Sequence, residues 1–393
     1  MKIQSFFKDV LKTTKTSQRR KDSIKNAPSS LDGNDPIYQC AKFLHPGKMK
    51  VKVVGIRNSS LTSKTFTFSS TNGHFPLFKP GQFMTLEFVI GQSLMTRTYS
   101  ISSAPYETRG DNPIVEITVK RIDNGLTSKI LYDETKIGDE FTAEIGLGQF
   151  YYDPIRDSKE LMLLAGGGGI TPFAALLKEI YAKRLNVKAT LLYGSNNEED
   201  IVLKNEIEKL ECDNIKIVHV ISNPSSDYKG EVGYLDANLI KKYQHGDMTY
   251  FICGPKKMYD FLRNELSKLS IPSRRIRYEG AGQPDDISKI EGYPLSSLGK
   301  VYSIKVRRGI KEDIILANYN ESLAVALERA GIKIHIGCRG GECGFCRIKV
   351  EKGTYFVSPY TDYRRETDKD FGYVHSCSTY PTSDMTIIIN IDC

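Results

Sequence analysis

Three cysteines lie in the stretch Gly337-Cys-Arg-Gly-Gly-Glu-Cys-Gly-Phe-Cys346, where they are spaced C-x4-C-x2-C. They are Cys338, Cys343 and Cys346, and a fourth, Cys377, follows further along the chain. Four thiols can converge on one centre only if the backbone between the first three folds tightly. Glycine permits this because it reaches backbone angles that a Cβ forbids, and the stretch contains Gly337, Gly340, Gly341 and Gly344. The sequence therefore predicts a cysteine-lined loop around a metal centre.

The spacing is that of a plant-type [2Fe-2S] cluster, with Cys338, Cys343, Cys346 and Cys377 as its ligands. A structural zinc site is the alternative, because zinc is also held by four cysteines. Zinc ribbons usually pair two C-x2-C units, whereas here only Cys343 and Cys346 have that spacing. We therefore favour the iron–sulfur cluster.

The sequence around this loop predicts a small α+β domain. Residues 301–306 and 313–317 should form a hairpin, residues 320–331 a helix, and residues 385–391 an apolar strand. This order of strands, helix, cysteine loop and strand resembles plant-type ferredoxins. The resemblance implies a β-grasp ferredoxin domain over residues 300–393.

Length and composition indicate a multidomain globular protein. The chain has 393 residues, enough for two or three domains, with 40% hydrophobic and 26% charged residues. Cys40, Cys212, Cys253 and Cys393 show no disulfide-framework spacing, which favours a reducing compartment. No apolar run reaches the roughly 18 residues of a membrane span, and the N-terminus lacks the apolar core of a signal peptide. The protein is therefore predicted to be cytoplasmic.

The net charge of +8 is concentrated at the N-terminus. Residues 1–26 contain eight Lys and Arg against Asp9 and Asp22, so they supply +6 of the total. The rest is nearly balanced and shows no basic stripe interleaved with aromatic residues, which argues against nucleic-acid binding. Residues 1–47 are predicted to be a solvated, partly disordered basic extension. The alternative is a short amphipathic turn touching a membrane surface or a partner, built on Phe6, Phe7, Val10 and Leu11.

Residues 48–153 consist of short alternating segments separated by glycine and proline turns. Five segments are predicted strands: residues 50–56, 63–69, 83–89, 115–121 and 140–145. So many short strands in so short a span indicate a small antiparallel β-barrel.

Within this barrel lies Arg97-Thr-Tyr-Ser100, which resembles the Arg-x-Tyr-Ser flavin motif of the ferredoxin–NADP reductase-like flavoproteins. The resemblance implies that Arg97 pairs with the flavin pyrophosphate, that Tyr99 lies against the isoalloxazine ring and that Ser100 hydrogen-bonds near the reactive N5. Thr98 would belong to the same site. Each side chain suits its role, because arginine offers a charged fork, tyrosine a flat surface and serine both a donor and an acceptor. The alternative is a strand edge that carries these residues without a cofactor.

Neighbouring motifs support the flavin interpretation. The stretch Gly125-Leu-Thr-Ser128 stands where the family places a glycine and a serine over the phosphates. The resemblance therefore adds three cofactor contacts, Gly125, Thr127 and Ser128. Pro80-Gly-Gln-Phe83 and Gly146-Leu-Gly-Gln-Phe150 match further family positions.

Residues 154–281 show the pattern of a parallel α/β domain. Residues 159–165 contain the continuous apolar run 161–165, typical of a buried strand, and Gly166-Gly-Gly-Gly-Ile-Thr-Pro172 connects this strand to a helix predicted over residues 173–184. Glycines between a strand and a helix N-terminus let backbone amides approach a pyrophosphate. Thr171 replaces the third glycine of the Rossmann fingerprint, and the stretch resembles instead the G-G-x-G-I-T-P motif of the same flavoproteins. It implies a nicotinamide site that includes Gly166, Gly167, Gly169 and Thr171.

Further strands are predicted over residues 188–193, 215–221 and 248–253. The last ends in Cys253-Gly-Pro255, which resembles the family motif in which the cysteine approaches the hydride-carrying carbon. By that resemblance Cys253, Gly254 and Pro255 bind the nicotinamide, and Cys253 joins Ser100 as a catalytic residue. The alternative for Cys253 is a small, inert, buried thiol.

The end of this domain offers one more candidate. Arg277-Tyr-Glu279 falls where the family has an aromatic or acidic motif near the flavin, which points to Tyr278 or Glu279. Residues 282–299 are rich in glycine, proline and serine, which predicts a linker to the ferredoxin domain.

The order of the three modules predicts an electron path. A nicotinamide gives two electrons as hydride whereas a [2Fe-2S] cluster accepts one at a time, so a flavin between them must store the pair and release electrons singly. The chain resembles the NAD(P)H-dependent reductases of ring-hydroxylating and demethylating oxygenases, which implies a separate protein acceptor. Two alternatives stay open: a flavin reductase whose C-terminal domain is only a docking module, and a stand-alone diaphorase without a protein partner.

The exact cofactors are less constrained. Arg-x-Tyr-Ser motifs occur with both FAD and FMN, and FAD is favoured because the relatives that the chain resembles use it. Recognition of the 2′-phosphate of NADPH calls for Arg or Lys after the second strand. Ser195-Asn-Asn-Glu-Glu-Asp200 offers neither, so NADH is favoured over NADPH.

Overall fold

The structure is a computed structural model that describes residues 3–27, 35–91, 93–122, 125–280, 282–284 and 286–389, without the side chains of residues 3–7. The chain divides into two compact units, Met1–Pro46 and Gly47–Cys393. The last part of the predicted strand 385–391, and Cys393, lie outside the described residues.

The first unit consists of two helices, α1 (Ile3–Asn26) and α2 (Pro36–Leu44). All described side chains of α1 are exposed and α2 buries none, as expected for a solvated extension. The prediction of partial disorder is wrong for residues 3–26, which form a helix. The polar composition suggested a disordered tail, but the Lys, Gln and Arg residues of this segment are also good helix formers. Val10 and Leu11 of the alternative amphipathic turn are exposed, whereas the side chains of Phe6 and Phe7 lie outside the description. Within the described ranges, no helix is both long and apolar enough to cross a membrane.

The second unit begins with an antiparallel barrel. Its six strands are β1 (Lys48–Ser60), β2 (Ser63–Ser70), β3 (Phe83–Ile90), β4 (Ser93–Ser100), β5 (Val115–Lys120) and β6 (Glu140–Leu147), with a short helix α3 (Leu126–Lys129). They follow the order β4-β3-β6-β1-β2-β5. An antiparallel bridge between Ile101 and Ile117 joins the end of β4 to β5 and closes the sheet. Val51, Phe66 and Leu86 are fully buried in its interior, so the predicted barrel is confirmed.

A parallel six-stranded sheet follows. Its strands are β7 (Glu160–Gly166), β8 (Lys188–Ser195), β9 (Ile215–Ile221), β10 (Glu231–Val232), β11 (Met248–Cys253) and β12 (Ile276–Tyr278), in the order β10-β9-β8-β7-β11-β12. Its helices are α4 (Thr171–Tyr181), α5 (Lys204–Glu208), α6 (Ala237–Tyr243) and α7 (Lys256–Ser267).

The continuous apolar run of β7 is explained by burial on both faces of this sheet. Successive side chains of a strand point to opposite faces, so Leu161 and Leu163 pack in one core with Phe173 of α4, while Met162 packs in the other core with Leu262 of α7. The four β7 and α7 residues are fully buried and Phe173 nearly so. The helix predicted over residues 173–184 begins and ends slightly earlier than expected.

The ferredoxin domain is built around a mixed sheet. Its elements are β13 (Val301–Arg308), β14 (Lys311–Asn318), α8 (Leu323–Arg329), β15 (Arg347–Lys352), β16 (Tyr355–Val357), α9 (Glu366–Asp370), β17 (Tyr373–His375), β18 (Thr379–Pro381) and β19 (Met385–Ile388). The strand order is β14-β13-β19-β15-β17, with β19 parallel to β13 and antiparallel to β15. The predicted hairpin, helix and final strand are all present. The helix α8 is shorter than predicted because Ser322 is extended and Gly331 has a positive φ of 70°.

Residues 282–299 pack against this domain. Ile287 and Tyr293 are buried in a cluster with Tyr380, and the Tyr293 hydroxyl donates to the carbonyl oxygen of Tyr319 at 2.8 Å. The glycine- and proline-rich composition therefore belongs to a connection that is held in place.

Candidate functional site

The flavin motif lies at the end of β4, the edge strand that pairs with β3. The antiparallel register sets Arg97 opposite Leu86 and Thr98 opposite Thr85, and it places Tyr99 and Ser100 at the end of the strand. All four motif residues are partly exposed. The motif is thus displayed on the surface of the barrel and its side chains are not part of a sealed core.

The second flavin motif meets the first through one hydrogen bond. The Tyr99 hydroxyl donates to Thr127 Oγ1 at 3.2 Å, and Ser128 Oγ donates to the carbonyl oxygen of Gly125 at 3.2 Å. A Cβ on Gly125 would lie 2.4 Å from Ser128 Oγ, so a larger residue would require the serine side chain to move. The structure therefore brings together the two segments predicted to hold the flavin.

The glycine-rich loop after β7 packs directly on the Cys-Gly-Pro segment after β11. A Cβ on Gly169 would lie 2.1 Å from the carbonyl oxygen of Cys253, and one on Gly166 would lie 3.1 Å from Pro255 Cδ. The parallel pairing of Ala165 with Cys253 explains this proximity. Gly167 adopts a positive φ of 51°, and Thr171 Oγ1 donates to the carbonyl oxygen of Gly168 at 3.1 Å.

A cavity of about 480 Å³ opens at the carboxyl ends of these strands. Its wall includes Gly166 and Gly167 after β7, Asn196 after β8, Tyr234 after β10 and Pro255 after β11. Ligands of open α/β sheets bind at this edge. Of the predicted nicotinamide residues, Gly166, Gly167 and Pro255 line this cleft, whereas Gly169, Thr171, Cys253 and Gly254 do not.

Glu279 links the two residues predicted to be catalytic. Ser100 Oγ donates to Glu279 Oε1 at 2.7 Å, and Cys253 Sγ donates to Glu279 Oε2 at 2.6 Å. The position follows from the sheet, because Glu279 comes directly after β12 and its N–H donates to the carbonyl oxygen of Ile252 at 3.0 Å. The end of the barrel and the end of the parallel sheet therefore converge on one carboxylate.

Burial sets the electrostatics of this group. Burial and then the charge of Glu279 raise the pKa of the Cys253 thiol well above its ordinary value, so the thiol stays neutral and donates. Burial also raises the pKa of Glu279, against the opposing effect of the hydrogen bonds from Cys253 and Ser100. Tyr259 Oη accepts from the Gly254 N–H at 3.4 Å and completes the group. Tyr259 carried no sequence signal, because only the fold brings α7 over the Cys-Gly-Pro segment.

The four predicted cluster ligands converge in two pairs. The Cys338 thiol hydrogen-bonds Cys343 and lowers the pKa of Cys343 to about 6, and the Cys377 thiol likewise lowers the pKa of Cys346. The backbone N–H groups of Gly340 and Cys343 donate to Cys338 Sγ at 3.3 and 3.4 Å. Two hydrogen-bonded thiol pairs, with N–H donors aimed at the sulfur of Cys338, suit thiolate ligands, whereas within the described ranges no group of three or more ligand side chains is placed closely enough to hold a metal ion.

The cluster loop needs its glycines. Gly341 has a positive φ of 84°, and a Cβ there would lie 2.4 Å from the carbonyl oxygen of Thr361. Gly344 has a positive φ of 73°. The predicted tight fold of the loop is therefore present.

This loop also touches the flavin strand and the connection that follows the nicotinamide domain. Arg339 Nε donates to the carbonyl oxygen of Thr96 at 2.7 Å, and Gln283 Nε2 donates to the carbonyl oxygen of Arg339 at 3.2 Å. Arg97, predicted to bind the flavin pyrophosphate, lies with its Nη1 3.4 Å from Glu328 Oε2 of α8. The three predicted sites thus form one contiguous region.

Comparison with known proteins gives the same three modules in the same order. Family models match an oxidoreductase FAD-binding domain over residues 50–152, an oxidoreductase NAD-binding domain over residues 163–264 and a 2Fe-2S iron-sulfur cluster binding domain over residues 311–382. An uncharacterized oxidoreductase of Saccharomyces cerevisiae, AIM33, is 30% identical over 246 residues, which are 61% of this chain and 75% of that protein. The chain belongs to the ferredoxin–NADP reductase-like flavoproteins with a C-terminal [2Fe-2S] domain.

Two further relatives match this reductase over most of its length. The glycine betaine monooxygenase reductase subunit of Chromohalobacter salexigens is 24% identical over 356 residues, covering 87% of this chain and 95% of that subunit. The solved structure of phthalate dioxygenase reductase, at 20% identity, superposes with a TM-score of 0.61 over 88% of this chain and 98% of that one. At this sequence identity, the superposition on phthalate dioxygenase reductase shows a shared fold only.

The reductase is an oxidoreductase with FAD, NAD and [2Fe-2S] domains. The flavin supplies the step from hydride to single electrons. Ser100, Cys253 and Glu279 form a hydrogen-bonded group where the barrel meets the parallel sheet, and Arg339 connects the cluster loop to Thr96 and Gln283.

Proposed function

We propose that this reductase takes hydride from NADH at the Ser100, Cys253 and Glu279 group and passes electrons singly through the cluster to a separate acceptor protein. The observation that carries the proposal is the shared carboxylate, since Glu279 accepts from Ser100 on the flavin strand and from Cys253 on the nicotinamide sheet. The Chromohalobacter relative is a reductase subunit of a monooxygenase, which supports an oxygenase-type acceptor.

NADH is the proposed donor because the loop after β8, residues 196–203, contains no Lys or Arg, the residues that recognise a 2′-phosphate at this position. We assign flavin binding and nicotinamide binding to the residues of the two predicted motifs, and we assign cluster ligation to Cys338, Cys343, Cys346 and Cys377. The cytoplasm is the proposed location, because all seven cysteines within the described ranges are free thiols.

The test is an anaerobic titration of the holoprotein with NADH and with NADPH, followed by visible absorbance, after the extracted flavin has been identified chromatographically. We expect NADH to bleach the FAD and the cluster, and a cytochrome added afterwards to be reduced. Bleaching of flavin without cluster reduction would overturn the proposal and favour the flavin reductase with a docking module. Iron and sulfide analysis of the same sample separates the cluster from a zinc site.

A further inference from the structure

A wide groove lies between the ferredoxin domain and the barrel, which contributes Lys48 of β1 and Glu144 of β6 to its wall. Its volume is about 820 Å³, and its wall includes two residues of the cluster loop, Phe345 and Cys346. Arg339 of the same loop contacts Thr96 of the flavin strand. A cluster ligand therefore borders a groove whose wall the ferredoxin domain shares with the barrel, where His335 pairs with Glu144 at 3.2 Å.

The groove is strongly basic. Its charged wall consists of one carboxylate, Glu144, and five basic side chains: Lys48, Arg308, Lys311, Lys333 and Arg347. Arg308 pairs with Asp313, Arg347 pairs with Asp368 and Lys48 pairs with Glu87. Lys311 and Lys333 are exposed and form no ion pair within the part of the chain that the structure describes. The basic groove, as we call it, thus presents uncompensated positive charge beside the cluster.

Apolar side chains are exposed at the same place. Phe345 is 41% exposed and stacks on His335 at 4.7 Å with 7° between the rings. Ile310, in the turn between β13 and β14, is fully exposed. An apolar centre bordered by polar residues is the usual anatomy of a protein interface, whereas a site for a small anion would gain nothing from these two side chains.

We propose that the basic groove is the docking surface for the electron acceptor, and that this acceptor presents an acidic patch around its own redox centre. The inference rests on the proposed function. It adds the surface through which electrons leave the cluster and the charge of the partner that receives them. Complementary charge steers such encounters and fixes their orientation. The N-terminal extension does not suit the groove, because residues 1–26 carry a net charge of +6.

The experiment uses the full-length holoprotein and two redox proteins of opposite charge as probes, the acidic soluble domain of cytochrome b5 and basic cytochrome c. The test variant is Lys311→Glu with Lys333→Glu. The matched control is Lys209→Glu with Lys229→Glu, two exposed lysines of the nicotinamide domain that do not line the groove. Both variants change the net charge equally.

We expect the unsubstituted protein to reduce cytochrome b5 faster than cytochrome c at low salt, and to lose this preference as salt rises. The test variant should lower kcat/KM for cytochrome b5 by about tenfold or more, within the range of electrostatic steering, with unchanged reduction of flavin and cluster by NADH. An equal loss in the control variant, or no loss in the test variant, would overturn the docking surface. Failure of NADH to reduce the cluster of the unsubstituted protein would overturn the proposed function itself.

Discussion

Glu328 of the ferredoxin domain lies against Arg97 of the flavin strand, with Oε2 3.4 Å from Arg97 Nη1. Its Oε1 accepts from the backbone N–H of Thr96 at 3.1 Å and from Arg339 of the cluster loop. The Glu328 side chain is only 5% exposed. A buried carboxylate between two guanidinium groups is strongly coupled to both, because removal of one partner leaves an uncompensated charge. This contact holds the cluster loop beside the flavin strand.

Glu328→Gln should therefore slow electron transfer from flavin to cluster by about tenfold, corresponding to roughly 1.4 kcal/mol, because the neutral amide holds Arg97 and Arg339 less firmly. Reduction of the flavin by NADH should keep its rate. Stopped-flow absorbance resolves the two steps. Glu321→Gln is the control, since Glu321 pairs with Arg329 within the same domain. Equal slowing in both variants would contradict the assigned role.

Arg97→Ala should weaken flavin retention by about tenfold to a hundredfold, because a charge-assisted contact contributes roughly 1.5–3 kcal/mol. Flavin content after dialysis measures the effect, and iron content should not change. Arg97→Lys should recover part of the loss, since lysine keeps the charge without the planar fork. If Glu328→Gln lost as much flavin, the effect of Arg97 would come from domain docking and not from phosphate binding.

Cys343→Ser should abolish cluster assembly while flavin reduction by NADH continues. The variant should still pass electrons to dyes that accept from flavin, and it should lose activity toward cytochrome c. Electron paramagnetic resonance of the dithionite-reduced protein checks the cluster directly. Cys212→Ser is the matched control, because Cys212 is an exposed free thiol outside the loop. A full reduced-cluster signal in the Cys343 variant would show that the ligand is another residue.

Local patterns in the sequence were sufficient for most of the fold. Period-2 alternation predicted five barrel strands, and the glycine runs predicted the loops at Gly166 and Gly341. Both signals come from residues close together in the sequence, so they can be read without knowledge of the tertiary structure. The pairing of Arg97 with Glu328 could not be predicted, since it joins residues 231 positions apart through domain packing. Glu279 was a candidate from its place in a family motif, but its two donors became evident only from the register of β12 on β11. The helix α1 was missed because its composition suits both a helix and a disordered tail.

Arg57 provides a pH-dependent link between the flavin and nicotinamide domains. Its guanidinium donates to Glu116 Oε1 at 2.5 Å and to Glu206 Oε2 at 3.0 Å. Burial works to raise the pKa of Glu116, but the hydrogen bond and charge of Arg57 outweigh it and the pKa lies below its ordinary value. A depressed carboxylate pKa stabilises the fold above the unfolded-state pKa of about 4.3, and this stabilisation is lost as pH falls through the lower folded-state pKa.

Glu116→Gln should thus be less stable than the unsubstituted protein at pH 7, by roughly 1.5–3 kcal/mol for a hydrogen bond to a charged group. The difference should shrink as the pH falls below about 4.3. Apparent midpoints of thermal unfolding between pH 7 and pH 3.5 measure it. Glu199→Gln, at an exposed position, should show no such dependence. A constant difference at every pH would mean that the pair contributes packing and not charge.

Cys253→Ala should slow hydride transfer to the flavin far more than it weakens NADH binding. Cys253 donates to Glu279, which also accepts from Ser100. Removal of the Cys253 thiol therefore leaves the buried Glu279 carboxylate with one hydrogen-bond donor fewer, at the place where the flavin strand meets the nicotinamide cleft. A group that orients the reactants acts mainly in the transition state, and its loss appears in the limiting rate and not in the dissociation constant. Stopped-flow bleaching of the flavin over a range of NADH concentrations separates the two. Cys253→Ser keeps a donor to Glu279 and should recover much of the rate. An unchanged limiting rate in the alanine variant would make Cys253 a buried, inert thiol.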